Sequence, residues 1–234
     1  MAQQTQPTYE GFTRRHFFLG AGASLLLAST SLVTPSRAFA DAGDGIISGT
    51  ARINGKPQPF GNLKSFKVQT GGEKAVLKTA SDIFYLDPDT EAEFERAADG
   101  TVAQINIAAG GLLSVFDPNR SQRAQIRTPN ATGSIRGTGT YFAYQAKEER
   151  TYVCCCYGGV DLANDAGGGK EMRTAYHTAV VLPASGGVEP APYSVPLDHY
   201  DDDLVALEAR VGREPRWQLP DDKMHFYAPE KLSL

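Results

Sequence analysis

Between residues 45 and 182 apolar and polar positions alternate in short stretches that turn residues repeatedly interrupt. Ala103, Ile105 and Ile107 alternate with Gln104 and Asn106; Thr140, Phe142 and Tyr144 alternate with Tyr141, Ala143 and Gln145. A period of two sends successive side chains to opposite faces of a strand. Strands are therefore predicted there and over 46–53, 66–70, 75–79, 83–86, 112–116 and 151–157. Gly71-Gly72, Asp87-Pro88, Asp99-Gly100, Gly110-Gly111, Asp117-Pro118 and Gly167-Gly168-Gly169 punctuate the pattern. So many short strands predict an all-β fold, as a sandwich, a jelly roll or an open, folded sheet.

No helical period of useful length occurs before residue 200. Residues 183–198 are rich in Pro, Gly and Ser and read as an extended strap. One helix should follow. Asp201, Asp202 and Asp203 supply an N-cap and negative charge where the helix dipole favours it. Leu204, Leu207 and Val211 form one apolar stripe, expected to dock on the β domain, and Gly212 and Pro215 end the helix.

Composition narrows the function. The chain has 234 residues, 41% hydrophobic and 21% charged, which is enough for a real core. The net charge is −4 and no basic stripe occurs, so nucleic acid is not an expected partner. A mean hydropathy of −0.32 and a single long apolar stretch exclude a multi-span membrane protein. That stretch follows Thr13-Arg14-Arg15-His16-Phe17-Phe18-Leu19 and runs charge-free to Ser36 before Arg37 and Ala38-Phe39-Ala40. It resembles a twin-arginine export signal with an A-x-A cleavage site. The expected organisation is a signal peptide over 1–40, a β domain over 41–182 and a C-terminal strap and helix over 183–234. The resemblance implies a periplasmic protein with no membrane span once the signal is removed. The twin-arginine route carries folded proteins, so a cofactor could be loaded before export.

The segment from Thr128-Pro129-Asn130-Ala131 through Arg136-Gly137-Thr138 to Tyr141-Phe142, followed by Gly158-Gly159-Val160-Asp161-Leu162, resembles the signature of FecR-type periplasmic domains. The 45–53 strand, the Leu86-Asp87-Pro88 corner and the Gly110-Gly111-Leu112 turn fall in the family's order, so the resemblance covers roughly residues 45–165. It implies a jelly-roll or folded-sheet domain that binds or senses an envelope protein or a small ligand, with Arg136, Gly137 and Thr138 on the binding surface. Signalling inward to a sigma factor is not carried over, because only 13 residues precede the twin arginines. A narrower resemblance, to a subgroup of exported FecR-like proteins, rests on Tyr152-Val153-Cys154-Cys155-Cys156-Tyr157-Gly158, Tyr176-His177 and His199-Tyr200-Asp201-Asp202.

Candidate chemistry is concentrated in the cysteines. On a regular strand Cys154 and Cys156 face one side with Tyr152, while Cys155 faces the other with Val153 and Tyr157. A bend at Gly158-Gly159 would let two thiolates approach one metal ion, with His177 and His199 as the available imidazoles. Cys154, Cys156, His177 and His199 would suit zinc, or copper or iron with looser geometry. Two other readings stay open. Cysteines fill strand interiors as small apolar residues, and Cys154 and Cys156 could form a strained disulfide. His177 could equally be a satisfied strand histidine, and His199 a cap or a surface partner of Asp198 or Asp201. No G-x-S-x-G or H-E-x-x-H occurs, and Gly167-Gly168-Gly169-Lys170 lacks the spacing of a phosphate-binding loop. The chain thus reads as a non-enzymatic exported binding domain, as a metal or redox protein, or as a structural envelope component.

Overall fold

The computed structural model describes residues 44–79, 81–136, 139–192 and 196–217. The expected signal peptide and Gly137 and Thr138 lie outside the described residues. The chain builds β1 (Gly45–Ile53), β2 (Ser65–Thr79), β3 (Asp82–Leu86), β4 (Glu91–Arg96), β5 (Val102–Val115) and β6 (Gln125–Thr128). It continues through β7 (Ala131–Ile135), β8 (Gly139–Gln145), β9 (Arg150–Asn164), β10 (Gly169–Thr174) and β11 (Thr178–Pro183). The strap contributes a two-residue strand, β12 (Glu189–Pro190), and ends in α1 (Asp201–Arg210). Among the described residues the fold is all-β with one short helix, and all twelve strands join one sheet. Among the described residues no helix is long and apolar enough to cross a membrane.

Three long strands fold that sheet onto itself. The first half of β2 pairs with β4 and the second half with β3. In β5, residues before Gly110 pair with β4 and β6, and residues from Gly110 onward pair with β3 and β8. In β9, residues 150–157 pair with β8 and β11, and residues 158–164 with β10 and β7. Each strand changes partners at a Gly-Gly pair: 71-72, 110-111 and 158-159. At Gly110 the requirement is strict. Its φ is +75°, and a Cβ there would come 2.4 Å from Oγ1 of Thr90, the hydroxyl that bonds Gly111 at N and O.

The fold creates two cores. Between the two halves of the sheet lie Phe66, Phe94, Ile105 and Ile126 from one half and Phe84, Leu112, Phe142 and Val153 from the other. Phe84 meets Phe94 edge-to-face at 5.2 Å across this interior. The outer face of the β3–β5–β8–β9–β11 half carries Tyr141, Tyr152, Cys154, Cys156, Tyr157, Leu113 and Val181. Leu204 and Leu207 of α1 bury against this second face, as the apolar stripe predicts. The helix begins differently from the expectation. Tyr200 is its N-cap, and Asp203 accepts the Tyr200 backbone N–H at 2.9 Å, while Asp201 turns inward. Gly212, with φ +72°, follows the C-terminus as predicted.

Candidate metal centre

Strand β9 delivers two cysteines to one face by alternation, which then breaks at a bulge. The β8–β9 register runs Gly139↔Tyr157 and then Thr140↔Cys155, so Cys156 is the extra residue of a bulge. The bulge shifts the phase of the strand. Tyr157, expected on the Cys155 side, instead joins Cys154 and Cys156 in the outer core. Cys155 stays with Val153 in the inner core as a packing residue. All three cysteines are free and fully buried.

The two imidazoles arrive from outside the strand. His177 precedes β11, where its backbone N–H donates to the Cys156 carbonyl at 2.9 Å. His199 lies at the end of the strap, immediately before α1, and is completely buried, neither a surface partner nor a helix cap. Nδ1 of His177 is 3.4 Å from Sγ of Cys154, and Nε2 of His199 is 3.4 Å from Sγ of Cys156. The ligating atoms of Cys154, Cys156, His177 and His199 all lie within 4.8 Å of one another.

The partners on the far side of each ring fix its orientation. Nε2 of His177 is 2.9 Å from Oδ1 of Asp201, and Nδ1 of His199 is 2.7 Å from the Leu197 carbonyl. A carboxylate and a carbonyl only accept, so these nitrogens carry the protons. The remaining nitrogen of each ring therefore faces the sulfurs, as it does in metal-binding histidines. Asp201 is itself held by the Tyr176 hydroxyl, which donates to Oδ2 at 2.6 Å. Leu197 is anchored by its N–H, which donates to the Tyr152 hydroxyl at 3.2 Å. Tyr141 stacks on His199 at 4.7 Å and donates its hydroxyl to Asp87 at 2.6 Å. Trp217 closes the other side, 6.5 Å from the His177 ring.

Electrostatics already favour a thiolate here. Burial opposes ionisation of Cys154, but hydrogen bonds from Cys156, His177 and His199 outweigh it and hold its thiol well below the ordinary range. Burial and the neighbouring Cys154 push Cys156 upward. Burial also opposes charging His177, yet Asp201 and Cys154 raise it to about 9. The inner-core Cys155, pushed up by burial to about 12, is inert by contrast.

Sequence reasoning named the four donors but not what holds them. Asp201 looks like one of three capping carboxylates, and although Tyr176, Tyr141 and Asp87 fall within the resembling segments, nothing local marks them as supports of the centre. Each is joined to the centre by contacts between residues at least 24 positions apart. Of the expected binding surface, Arg136 is exposed and pairs with Asp161 rather than with the centre.

No protein-family model matches the chain, and no curated protein matches its sequence. Two crystal structures, each described as a candidate anti-sigma factor from Parabacteroides distasonis, are similar in structure. One is 10% identical with a TM-score of 0.45, and the similarity covers 54% of this chain and 59% of that one. The other is 12% identical with a TM-score of 0.43, covering 53% and 58% respectively. The chain thus spans less than two thirds of either protein.

Proposed function

We propose that this protein is an exported β domain that binds one transition-metal ion, zinc first, through Cys154, Cys156, His177 and His199. One observation carries the reading: four donors from three separate stretches of chain converge, their ligating atoms all within 4.8 Å of one another. Zinc bonds of 2.3 Å to sulfur and about 2.0 Å to nitrogen place tetrahedral S and N donors about 3.5 Å apart. Two of the four sulfur–nitrogen pairs at the centre stand at 3.4 Å, and none exceeds 4.8 Å. Two thiolates and two neutral imidazoles would neutralise a divalent ion.

All four donors come from the protein, three fully buried and His177 with its side chain 5% exposed, which fits a closed, structural or sensing ion better than a hydrolytic one with an open coordination position. The ion would join β9 to the strap and α1, since His199 and the Asp201 that orients His177 both belong to the C-terminal segment. Loading in the cytoplasm, before export in the folded state, would suit such a centre.

The test is metal analysis with thiol titration on protein exported natively and purified without chelator. We expect one ion per chain, absent from a Cys154→Ser, Cys156→Ser double variant. Cobalt substitution should give the intense visible absorption of a tetrahedral thiolate site. Metal-free protein with three titratable thiols would sink the proposal.

A further inference from the structure

A cleft of about 670 Å³ opens beside the bend of β9, and Arg120, Arg123, Arg136, Arg173 and Arg216 line it. The chain as a whole is acidic, with net charge −4, whereas five guanidiniums and one carboxylate, Asp117, line this cleft. The carboxylates there do not balance them evenly. Asp161 is shared by three arginines: it accepts from Nε of Arg136 and lies 3.3 Å from Nη2 of Arg173 and 3.5 Å from Nη1 of Arg123. Glu171 meets Arg173 at 2.6 Å, and Asp82 meets Arg120 at 3.5 Å.

The arginines are held in place rather than left to solvent. Arg120 lies over the Phe116 ring at 5.0 Å with its side chain only 9% exposed. Arg173 crosses Gly159, where a Cβ would come 2.4 Å from its Nη1, so the glycine makes room for the guanidinium. The Arg136 backbone N–H donates to the Gly159 carbonyl at 2.6 Å. Arg123, Arg136 and Arg173 nevertheless stay 54%, 39% and 41% exposed, within reach of a ligand.

We propose that this cleft binds a ligand through a phosphate group. Guanidiniums in fixed orientations suit the bidentate recognition of phosphate oxygens. The volume falls in the range of small-molecule sites and exceeds what inorganic phosphate fills, so the group is carried on an organic body. That body is a soluble phosphate ester or the headgroup of a lipid.

Calorimetry on the full-length, metal-loaded protein tests this with glycerol 3-phosphate in one arm and phosphatidylglycerol vesicles in the other. Binding in either arm supports the proposal, and the arm that binds names the source. An Arg136→Ala, Arg173→Ala double variant should weaken it at least tenfold with metal content unchanged. The Lys, Lys counterpart should fall between, because it keeps charge and loses the planar fork. That variant also keeps the test decisive if the alanine protein fails to fold. No binding in either arm, or binding indifferent to both double variants, overturns the proposal.

Discussion

The two faces of the β8–β9 wall are built from the same strands and obey different rules. Its inner face belongs to a core of aliphatic and phenylalanine side chains, where Phe60, Phe66 and Phe94 stack in parallel and Phe84 meets Phe94 and Phe116 edge-on. Apart from Thr151, whose hydroxyl bonds Asn130 and Thr128 at its margin, it is apolar, so volume and shape decide most of its stability. Its outer face buries tyrosines, two cysteines and a histidine under the strap and α1, each polar atom tied to a named partner. Such a core is stable only when every member is satisfied. Cys155 and its two neighbours make the contrast within three residues: one thiol packs, and the other two face imidazoles. Alternation decides which is which, and the bulge at Cys156 moves Tyr157 to the outer face as well.

The sharpest way to break that comparison is a cavity on the inner side. Phe94→Ala should cost about 3–5 kcal/mol in denaturant unfolding, because an enclosed ring is removed and the surrounding sheet cannot collapse into its place. Metal stoichiometry of the folded fraction should stay unchanged. A loss of metal in protein that is still folded would mean that the two cores are not separate.

A pH dependence should belong to the outer side. Burial lifts the Asp87 carboxyl to about 6, against the opposing hydrogen bond from Tyr141 and the charge of Lys74. A carboxyl raised in the folded state favours folding most when protonated. Its contribution is therefore whole below about pH 4 and is lost as the pH rises through about 6. At 1.36 kcal/mol per unit, the lost stability is on the order of 2–3 kcal/mol. Asp87→Asn, neutral throughout, should flatten the stability profile between pH 4 and 7 without abolishing the slope, since burial raises Asp82 too. An unchanged profile would show that Asp87 does not titrate in this window.

The inner core was legible from alternation alone, because β strands with one apolar face need only their period to be placed. The strap, the helix and its glycine stop were legible from turn and cap chemistry for the same local reason. The four donors could be named because cysteine and histidine are rare here, with three and four in the chain. Their convergence could not be read, nor could the shared Asp201. The bulge at Cys156 depends on how β8 and β9 pair, and pairing over such distances leaves no mark on local sequence. Assigning Tyr157 to the Cys155 side is the error that a strictly regular strand would make.

Removing the ion should separate the two faces dynamically. With metal a hundredfold above its Kd, chelation should lower stability by about 2.7 kcal/mol. Hydrogen exchange should rise mainly over 197–211, which the centre fastens to β9, and little over β4 and the first half of β5. Uniform loss of protection would mean that the ion supports the whole fold and not the outer core.

The smallest change tests the finest part of the arrangement, the carboxylate behind His177. Asp201→Asn keeps the shape and the Tyr176 contact but offers a weaker acceptor, which can also turn its amide toward the ring. The Nε2 proton then loses its fixed place, and Nδ1 no longer faces the sulfurs in every molecule. Losing such an orienting partner typically costs ten- to a hundredfold in metal affinity, which is about 1.4–2.7 kcal/mol. Competition with a chelator of known affinity reads that loss directly. A purely structural Asp201 would instead lower unfolding stability and leave the affinity of the folded protein alone. Nitrogen NMR of the His177 ring distinguishes the two. In the wild-type protein with metal bound, Nε2 should be the protonated nitrogen. In the variant the tautomers should mix, and only that result ties the lost affinity to a ring set loose.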